Sequence, residues 1–299
     1  MLCILSGGTG TPKMLTGISA EYGIIVNTGE DLWISGVYVS PDLDTVVYTL
    51  AGMVDDSKWY GQKEDTYFCH EMMKSLGYTE LLKIGDKDRG LKLFRTLLMK
   101  DGVPLSQVTQ KILRALQVDV PVFPMSDDKV TTRIYSGSDV LTFHEFWVAR
   151  RAQVTVTNVE YEGIETARPI EKAVTLMKES KAILVGPSNP VTSIGPIIGM
   201  KAYRDILRKK VVVGISPMIG EAPFSGPTGV LMRGLGIKTN CVGVAEVYQD
   251  FLDIFIIHKT DKKYKPVLED MGLTVYSEDI LLDSLEKKKA LWRVVEGIL

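Results

Sequence analysis

Cysteine and histidine are scarce, with three of each among 299 residues. Cys3, Cys69 and Cys241 are far apart, odd in number and without metal-ligand spacing. That argues against a disulfide framework or a thiolate metal centre and fits buried thiols in a reducing compartment. His70, His144 and His258 form no HExxH or similar pair, and no GxSxG elbow occurs. Zinc hydrolysis and covalent acyl transfer therefore have little support. Charge of one sign is missing too: the formal net charge is -2 and the pI is near 6.0, so no basic field gathers nucleic acid or an anionic membrane. No apolar run reaches 18 residues; the run near Phe251–Ile257 is broken by Asp253 and reads as a buried helix or strand. The first residues carry no signal-peptide pattern, and a cytoplasmic location is expected.

What is present is ordinary globular composition, 45% hydrophobic and 24% charged, in a chain long enough to bury a large core. The apolar run MLCIL stops at Ser6-Gly7, and a helical pattern follows Pro12. A second run, Ile24–Val26, stops at Asn27-Thr28-Gly29-Glu30-Asp31. Strand, glycine turn, helix and strand at this spacing predict a βαβ unit. Leu43, Val46, Val47 and Leu50 recur at helical steps between Asp42 and Met53. Amphipathic helices then continue to about Gln117, which predicts a helical insertion at about 55–120. Alternating stretches predict strands near 130–136 and 153–161. The α/β rhythm resumes with PIEKAVTLMKES, KAILVG, VVVGIS and a C-terminal amphipathic helix. The expected fold class is α/β, a Rossmann-like and mainly parallel sheet flanked by helices with an inserted helical substructure, over residues 1–299.

Open parallel sheets bind ligands beyond the carboxyl ends of their strands, where several polar loops would converge. LSGGTGTPK suits a phosphate, because glycine amides approach closely and a helix start adds positive potential; a tight turn that binds nothing would look similar. It is not a Walker A loop, since Pro12 stands where a glycine is needed and Lys13 precedes Met14. It is a poor dinucleotide fingerprint, since Lys13 takes the place of a third small residue and the second strand ends in Asn27. Glu30 and Asp31 after the second strand, with Asp42 and Asp44 at a helix start, suit Mg²⁺ held against a diphosphate; alternatively Ser40 or Asp42 caps the helix and Asp44 completes its first turn. Lys87 and Arg89 in IGDKDRG either reach a phosphate or polar ring or solvate a helix start. Met125-Ser126-Asp127-Asp128 is another strand-end acidic loop or a hairpin turn. Ser188, Asn189 and the Ser216–Gly229 loops suit a nucleotide.

Taken in order, SGGTGTPK, NTGEDLWISG, SPDLDTVVYTLAG, WYG, IGDKDRG, MSDD, GPSNPVTSIGPI and ISPMIGEAPFSGPTGVLMRGLG resemble the CofD family of coenzyme F420 biosynthesis over nearly the whole chain. The resemblance implies transfer of a phospholactyl group from lactyl-2-diphospho-5'-guanosine to the ribityl hydroxyl of the deazaflavin Fo, giving F420-0 and GMP with Mg²⁺ as cofactor. It implies that Gly7, Gly8, Thr9 and Gly10 cradle the diphosphate beside Lys13. Asp31, Asp42 and Asp44 would serve the metal, with Asp42 and Asp44 catalytic and Asp44 orienting the acceptor hydroxyl. Lys87 and Arg89 would line the acceptor, while Ser188, Asn189, Ser216, Gly226 and Thr228 would hold guanosine. A regulatory branch of the superfamily shares the glycine-rich start and would bind a nucleotide sugar without catalysis; SPDLDT and IGDKDRG argue for the transferase. Fo and the guanosine diphosphate-linked lactate are the expected partners, with no nucleic acid or membrane. A homodimer is expected, and the acyl group of the donor is left open.

Overall fold

The computed structural model describes residues 1–18, 20–223 and 226–299. Seven parallel strands form the central sheet: β1 (Leu2–Ser6), β2 (Tyr22–Val26), β3 (Val122–Pro124), β4 (Ala182–Val185), β5 (Val211–Ile215), β6 (Ile254–His258) and β7 (Thr274–Glu278). Their spatial order is 3-2-1-4-5-6-7. The apolar runs read from sequence are β1, β2, β4 and β5, with most of β6, and they are nearly unbroken because helices cover both faces of the sheet; β3 and β7 were not foreseen. Alternate residues divide between two cores. Cys3, Leu5, Ile25, Ile183, Val185 and Val212 face one, while Leu2, Ile4, Ile24, Val26, Leu184 and Val213 face the other.

The chain leaves β1 toward β2 on one side and returns to β4 on the other. The strand order therefore reverses between β1 and β4, and the loops leaving their carboxyl ends diverge there into a crevice. A short helix α1 (Gly10–Leu15) follows β1, with Pro12 in its first turn as the sequence predicts. After β2 comes an antiparallel hairpin, Leu32–Ile34 with Val37–Val39, that has no counterpart in the sequence reading. Helix α2 (Pro41–Leu50) then starts on Pro41 with Asp42 and Asp44 in its first turn.

Between α2 and β3 lie α3 (Phe68–Ser75), α4 (Asp86–Lys100) and α5 (Leu105–Ala115), where the helical insertion was expected. The added strands form a three-stranded antiparallel sheet, Thr131–Ser136, Asp139–Thr142 and Asn158–Glu162. The segment Phe251–Ile257 supplies all of β6 but its last residue, His258. No helix among the described residues is long and apolar enough to cross a membrane.

Candidate active site

Ser188, from the loop after β4, joins the glycine loop to the sheet. Its buried hydroxyl accepts hydrogen bonds from the backbone N–H of Gly7 (3.1 Å) and Thr11 (3.3 Å) and lies 2.8 Å from Thr11 Oγ1. Two loops from neighbouring strands thus touch backbone to backbone. A Cβ on Gly10 would stand 1.7 Å from the Pro187 carbonyl oxygen, and one on Gly7 would stand 2.4 Å from Ser193 Cβ. Glycine is required here by space, not by backbone angle. Thr9 offers no side-chain cap to α1, which leaves that helix end open to an anion.

Asn27 fixes the opposite wall. Its Nδ2 donates to Asp42 Oδ2 (2.9 Å) and to the Thr192 carbonyl (3.1 Å), while its Oδ1 accepts the Gly29 N–H (2.8 Å). An amide at this strand end tethers a carboxylate, whereas an acid would repel it. Asp42 Oδ1 lies so close to the glycine loop that a Cβ on Gly8 would meet it at 2.2 Å. Glu30, also buried, comes from the same loop as Asn27, and its Oε1 has no hydrogen-bond partner among the described residues. Burial, and next the neighbouring Asp42, push the Glu30 carboxyl well above the usual range. Burial pushes Asp42 up to about 7, against the pull of the Asn27 amide.

The crevice between these walls has a volume of about 250 Å³. Its lining includes Gly8, Thr9, Gly10, Glu30, Asp42, Ser188, Asn189 and Gly226. Lys58 and Tyr60 stand on its rim, and Phe143 and Trp147 reach it from the helical segment that follows the strand Asp139–Thr142. His144, between those two aromatics in the chain, lies 3.0 Å through Nε2 from the Glu30 carbonyl oxygen. A larger depression, about 690 Å³, lies between α5, Asp127-Asp128 and Arg168–Lys172, away from the glycine loop.

Two buried, unneutralised carboxylates beside a phosphate-sized glycine turn fit a hard divalent cation, which takes one or two carboxylates and completes its shell with substrate phosphate and water. The described residues contain no cluster of three or more acidic, His or Cys groups that could hold a metal alone.

Other sequence candidates stand elsewhere. Asp31 accepts from the Ser40 hydroxyl (2.8 Å to each oxygen) and from Tyr38 OH (3.1 Å), so it pins the hairpin to α2. Asp44 faces α4, where Lys92 Nζ lies 3.1 Å away and Arg95 grips both of its oxygens. Burial alone would raise the Asp44 carboxyl; Arg95 and Lys92 outweigh it and hold the group below the usual range.

The three basic candidates are not brought into the crevice. Lys13 Nζ sits over the Trp59 ring, 5.7 Å from its centroid. Lys87 Nζ donates to the Glu64 carbonyl (2.9 Å), and Arg89 donates to both oxygens of the buried Glu80 (2.8 Å each). A charged run before a helix reads alike whether it binds a ligand or ties loops together. Here Asp65 collects the N–H groups of Lys87 and Asp88, and the run closes the insertion on itself.

Asn189 lines the crevice while its Oδ1 closes a turn on the Val191 N–H (2.9 Å). Ser216 accepts the Met218 N–H (3.0 Å) in a turn of its own. Thr228 is buried at the start of the helix Thr228–Gly234. Phe224 and Ser225 lie outside the described residues. Asp127 accepts from Ser106 N and Oγ (2.7 Å each) and Asp128 from Arg168 N, so MSDD is the turn reading and not a wall of the crevice. Lys58, Tyr60, Phe143, Trp147, Thr192 and Ser193 were missed. Thr192 and Ser193 stand within GPSNPVTSIGPI and Tyr60 within WYG, so the motifs contained the signal without pointing to the side chains.

The family model described as 2-phospho-L-lactate transferase CofD matches residues 2–297. A protein of Methanocaldococcus jannaschii named 2-phospho-L-lactate transferase is 43% identical, over 97% of this chain and 96% of its own. One of that name from Methanopyrus kandleri is 45% identical, over 99% and 98%. In fold, the chain is similar to a solved UPF0052-family protein of Bacillus halodurans, with TM-score 0.69 and 13% identity over 99% of this chain and 98% of that one. The chain belongs to the CofD family of 2-phospho-L-lactate transferases.

Proposed function

We propose that this protein transfers the phospholactyl group of lactyl-2-diphospho-5'-guanosine to the ribityl hydroxyl of Fo, releasing GMP and forming F420-0. Family membership supports phospholactate transfer as the activity. The observation that carries the reading at the site is the contact of Gly8 with Asp42. A diphosphate in the glycine turn would lie against two buried carboxylates, an arrangement that suits a cation between them.

Glu30 and Asp42 would hold that cation. Mg²⁺ bound there would offset the charge of the diphosphate oxygens as it redistributes in the transition state. The amides of Gly8, Thr9 and Gly10 hold the donor diphosphate, and Asn189 and Gly226 border the nucleoside. The acceptor hydroxyl attacks the phosphorus bearing lactate; the new O–P bond forms as the P–O bond to GMP breaks, and the hydroxyl proton passes late to the departing GMP phosphate. Asp44, kept ionised by Arg95 and Lys92, faces α4 and not the crevice; it fixes the first turn of α2 and so the position of Asp42, and it does not meet the acceptor.

The test is a mass-spectrometric assay of purified protein with Fo, the guanosine donor and Mg²⁺. Equimolar F420-0 and GMP are expected. Turnover of Fo with a donor lacking the guanosine, or no product from any guanosine donor, would overturn the assignment.

A further inference from the structure

Two lysines from opposite ends of the chain meet at one indole. Lys13, in α1, holds its ammonium 5.7 Å from the centre of the Trp59 ring, and Lys288, in the C-terminal helix Leu285–Ile298, holds its own 4.7 Å from it. Gly17 sets the two elements this close. A Cβ there would stand 3.0 Å from the backbone carbonyl carbon of Lys288 and 3.1 Å from the amide nitrogen of Lys289, so the chain leaving α1 touches the C-terminal helix backbone to backbone.

Each ammonium is attracted to the ring, but the two repel each other. Neither has a hydrogen bond or ion pair among the described residues, whereas nearby lysines do: Lys58 pairs with Asp55 at 2.8 Å and Lys287 with Asp283 at 2.9 Å. A lysine ordinarily carries its head to water. Lys13 and Lys288 are instead half-buried. Burial, and next the charge of Lys288, draws the Lys13 ammonium below the usual lysine range; burial does the same to Lys288, against the pull of Asp56. Trp59 stands at a φ of 61°, a left-handed conformation that is costly for a bulky residue and that recurs at ligand clamps. A closed loop keeps it there, with the Trp59 N–H on the Asp55 carbonyl (2.7 Å) and the Asp55 N–H on the Gly61 carbonyl (3.1 Å).

We propose that Lys13 and Lys288, beside Trp59, form an oxyanion site at the rim of the crevice, taking one phosphate or carboxylate group shared by the two ammonium ions. One such group answers both unpaired charges and offsets their repulsion, which no carboxylate among the described residues does at ion-pair distance. The site adjoins the crevice along two stretches of chain. Gly10, three residues before Lys13, lines the crevice, and so do Lys58 and Tyr60, which flank Trp59. Neither Lys13 nor Lys288 lines it, so the group they take is distinct from a diphosphate seated on the glycine turn. Inside the crevice two carboxylates suit a cation; at its rim two cations suit an anion. The oxyanion is either a pendant group of a ligand lying in the crevice or free phosphate.

Calorimetric titration of the purified protein with inorganic phosphate tests this. Affinity should fall about tenfold in Lys288→Met, the loss expected of one charge-assisted contact, and stay at the wild-type level in Lys287→Met. Phosphate can also reach the glycine turn, so Trp59 supplies the local signal. The phosphate-dependent change in tryptophan emission that Lys288→Met removes should also be missing from Trp59→Phe. Without phosphate, Lys288→Met should melt no lower than wild type, because it removes one of two repelling, half-buried charges. A lysine that only packs on the ring would lower the melting temperature when replaced. Guanosine diphosphate separates the two sources. Phosphate affinity unchanged by saturating guanosine diphosphate identifies a site for the free anion, whereas guanosine diphosphate affinity itself weakened about tenfold by Lys288→Met identifies a pendant group of the crevice ligand. Equal phosphate affinity in wild type and Lys288→Met, or a lower melting temperature of the phosphate-free variant, would overturn the proposal.

Discussion

The Arg95 guanidinium grips the Asp44 carboxylate with both of its amino groups, Nη1 lying 3.2 Å from Oδ2 and Nη2 bonding Oδ1, in a site where both side chains are almost completely buried. Asp42, two residues earlier on the same helix, faces the opposite way into the crevice. One turn of α2 therefore carries a carboxylate for the ligand side and a carboxylate for the fold. Breaking a buried pair from one side leaves an uncompensated charge and costs about 3–5 kcal/mol. Arg95→Met and Asp44→Asn should both lose stability on this scale in urea unfolding. Asp44→Asn should also lose turnover, whereas Asp42→Asn should lose turnover with little loss of stability. Equal stability of Asp44→Asn and wild type would remove the anchoring role.

The close approach of β1 and β4 loops predicts a graded response to adding one methyl group. In Gly10→Ala the new carbon meets a backbone carbonyl, which moves only if the loop moves. In Gly8→Ala it meets the Asp42 carboxylate, a side chain able to rotate. Gly10→Ala should therefore weaken binding of a guanosine diphosphate probe at least tenfold, about 1.4 kcal/mol, and lower the melting temperature. Gly8→Ala should remove turnover while keeping most of the stability. Isothermal titration and thermal melts separate the two; wild-type affinity in Gly10→Ala would refute a diphosphate seat at this turn.

Much of this architecture was legible because parallel strands buried on both faces appear as continuous apolar runs, and the loops after them announce themselves by glycine and proline. The hairpin Leu32–Val39 was not legible, since its strands are only three residues each and Ser35-Gly36 reads as any turn. Helix α4 was recognisable as a helix from its periodicity, but not which face was inward. Ordinary patterning buries Leu93, Phe94 and Leu97; the inward pull on Lys92 and Arg95 comes from Asp44, 48 or more residues away in the chain. Glu30 and Asp31 are neighbours with the same chemistry, and only the fold directs one into the crevice and the other to Ser40 and Tyr38. The contacts of Lys87 and Arg89, with the Glu64 carbonyl and the Glu80 carboxylate, were not legible either, because those partners lie in the preceding loops and outside the charged run itself.

Glu80 gives the pH dependence its sign. Its side chain is fully buried, accepting from Arg89 and lying 2.7 Å from His70 Nδ1. Burial would raise its carboxyl, but the hydrogen bonds with Arg89 and His70 prevail and hold it below the ordinary range. A carboxyl depressed in the folded state binds protons more weakly there than in the unfolded chain. Its contribution is full above the unfolded value of about 4.3 and disappears as pH falls through the lower folded value. Glu80→Gln should be less stable than wild type at pH 7, and the two urea-unfolding free energies should converge below about pH 4. A constant gap down to acid-induced unfolding would show that the loss is one of packing.

Glu30 decides the metal question, because its Oε1 is buried without a hydrogen-bond partner among the described residues whereas the Asp31 oxygens are met by the Ser40 and Tyr38 hydroxyls. A ligand that binds only the folded state stabilises it by RT ln(1 + [L]/Kd), about 2.7 kcal/mol at a hundredfold excess over Kd. For a chain of this size that is a rise of several degrees in melting temperature, at about 2–4 °C per kcal/mol. Metal-free wild type should show the rise on titration with Mg²⁺ and lose it on addition of EDTA. Glu30→Gln, which keeps the shape and removes the charge, should melt no lower than the metal-free wild type, since a buried and poorly solvated carboxylate has been neutralised, and it should show little rise with Mg²⁺. Asp31→Asn should keep the rise while losing stability through Ser40 and Tyr38. The reverse result, with Asp31→Asn insensitive to Mg²⁺ and Glu30→Gln responding like wild type, would return the metal to Asp31 and leave the Glu30 and Asp42 pair as a feature of the fold alone.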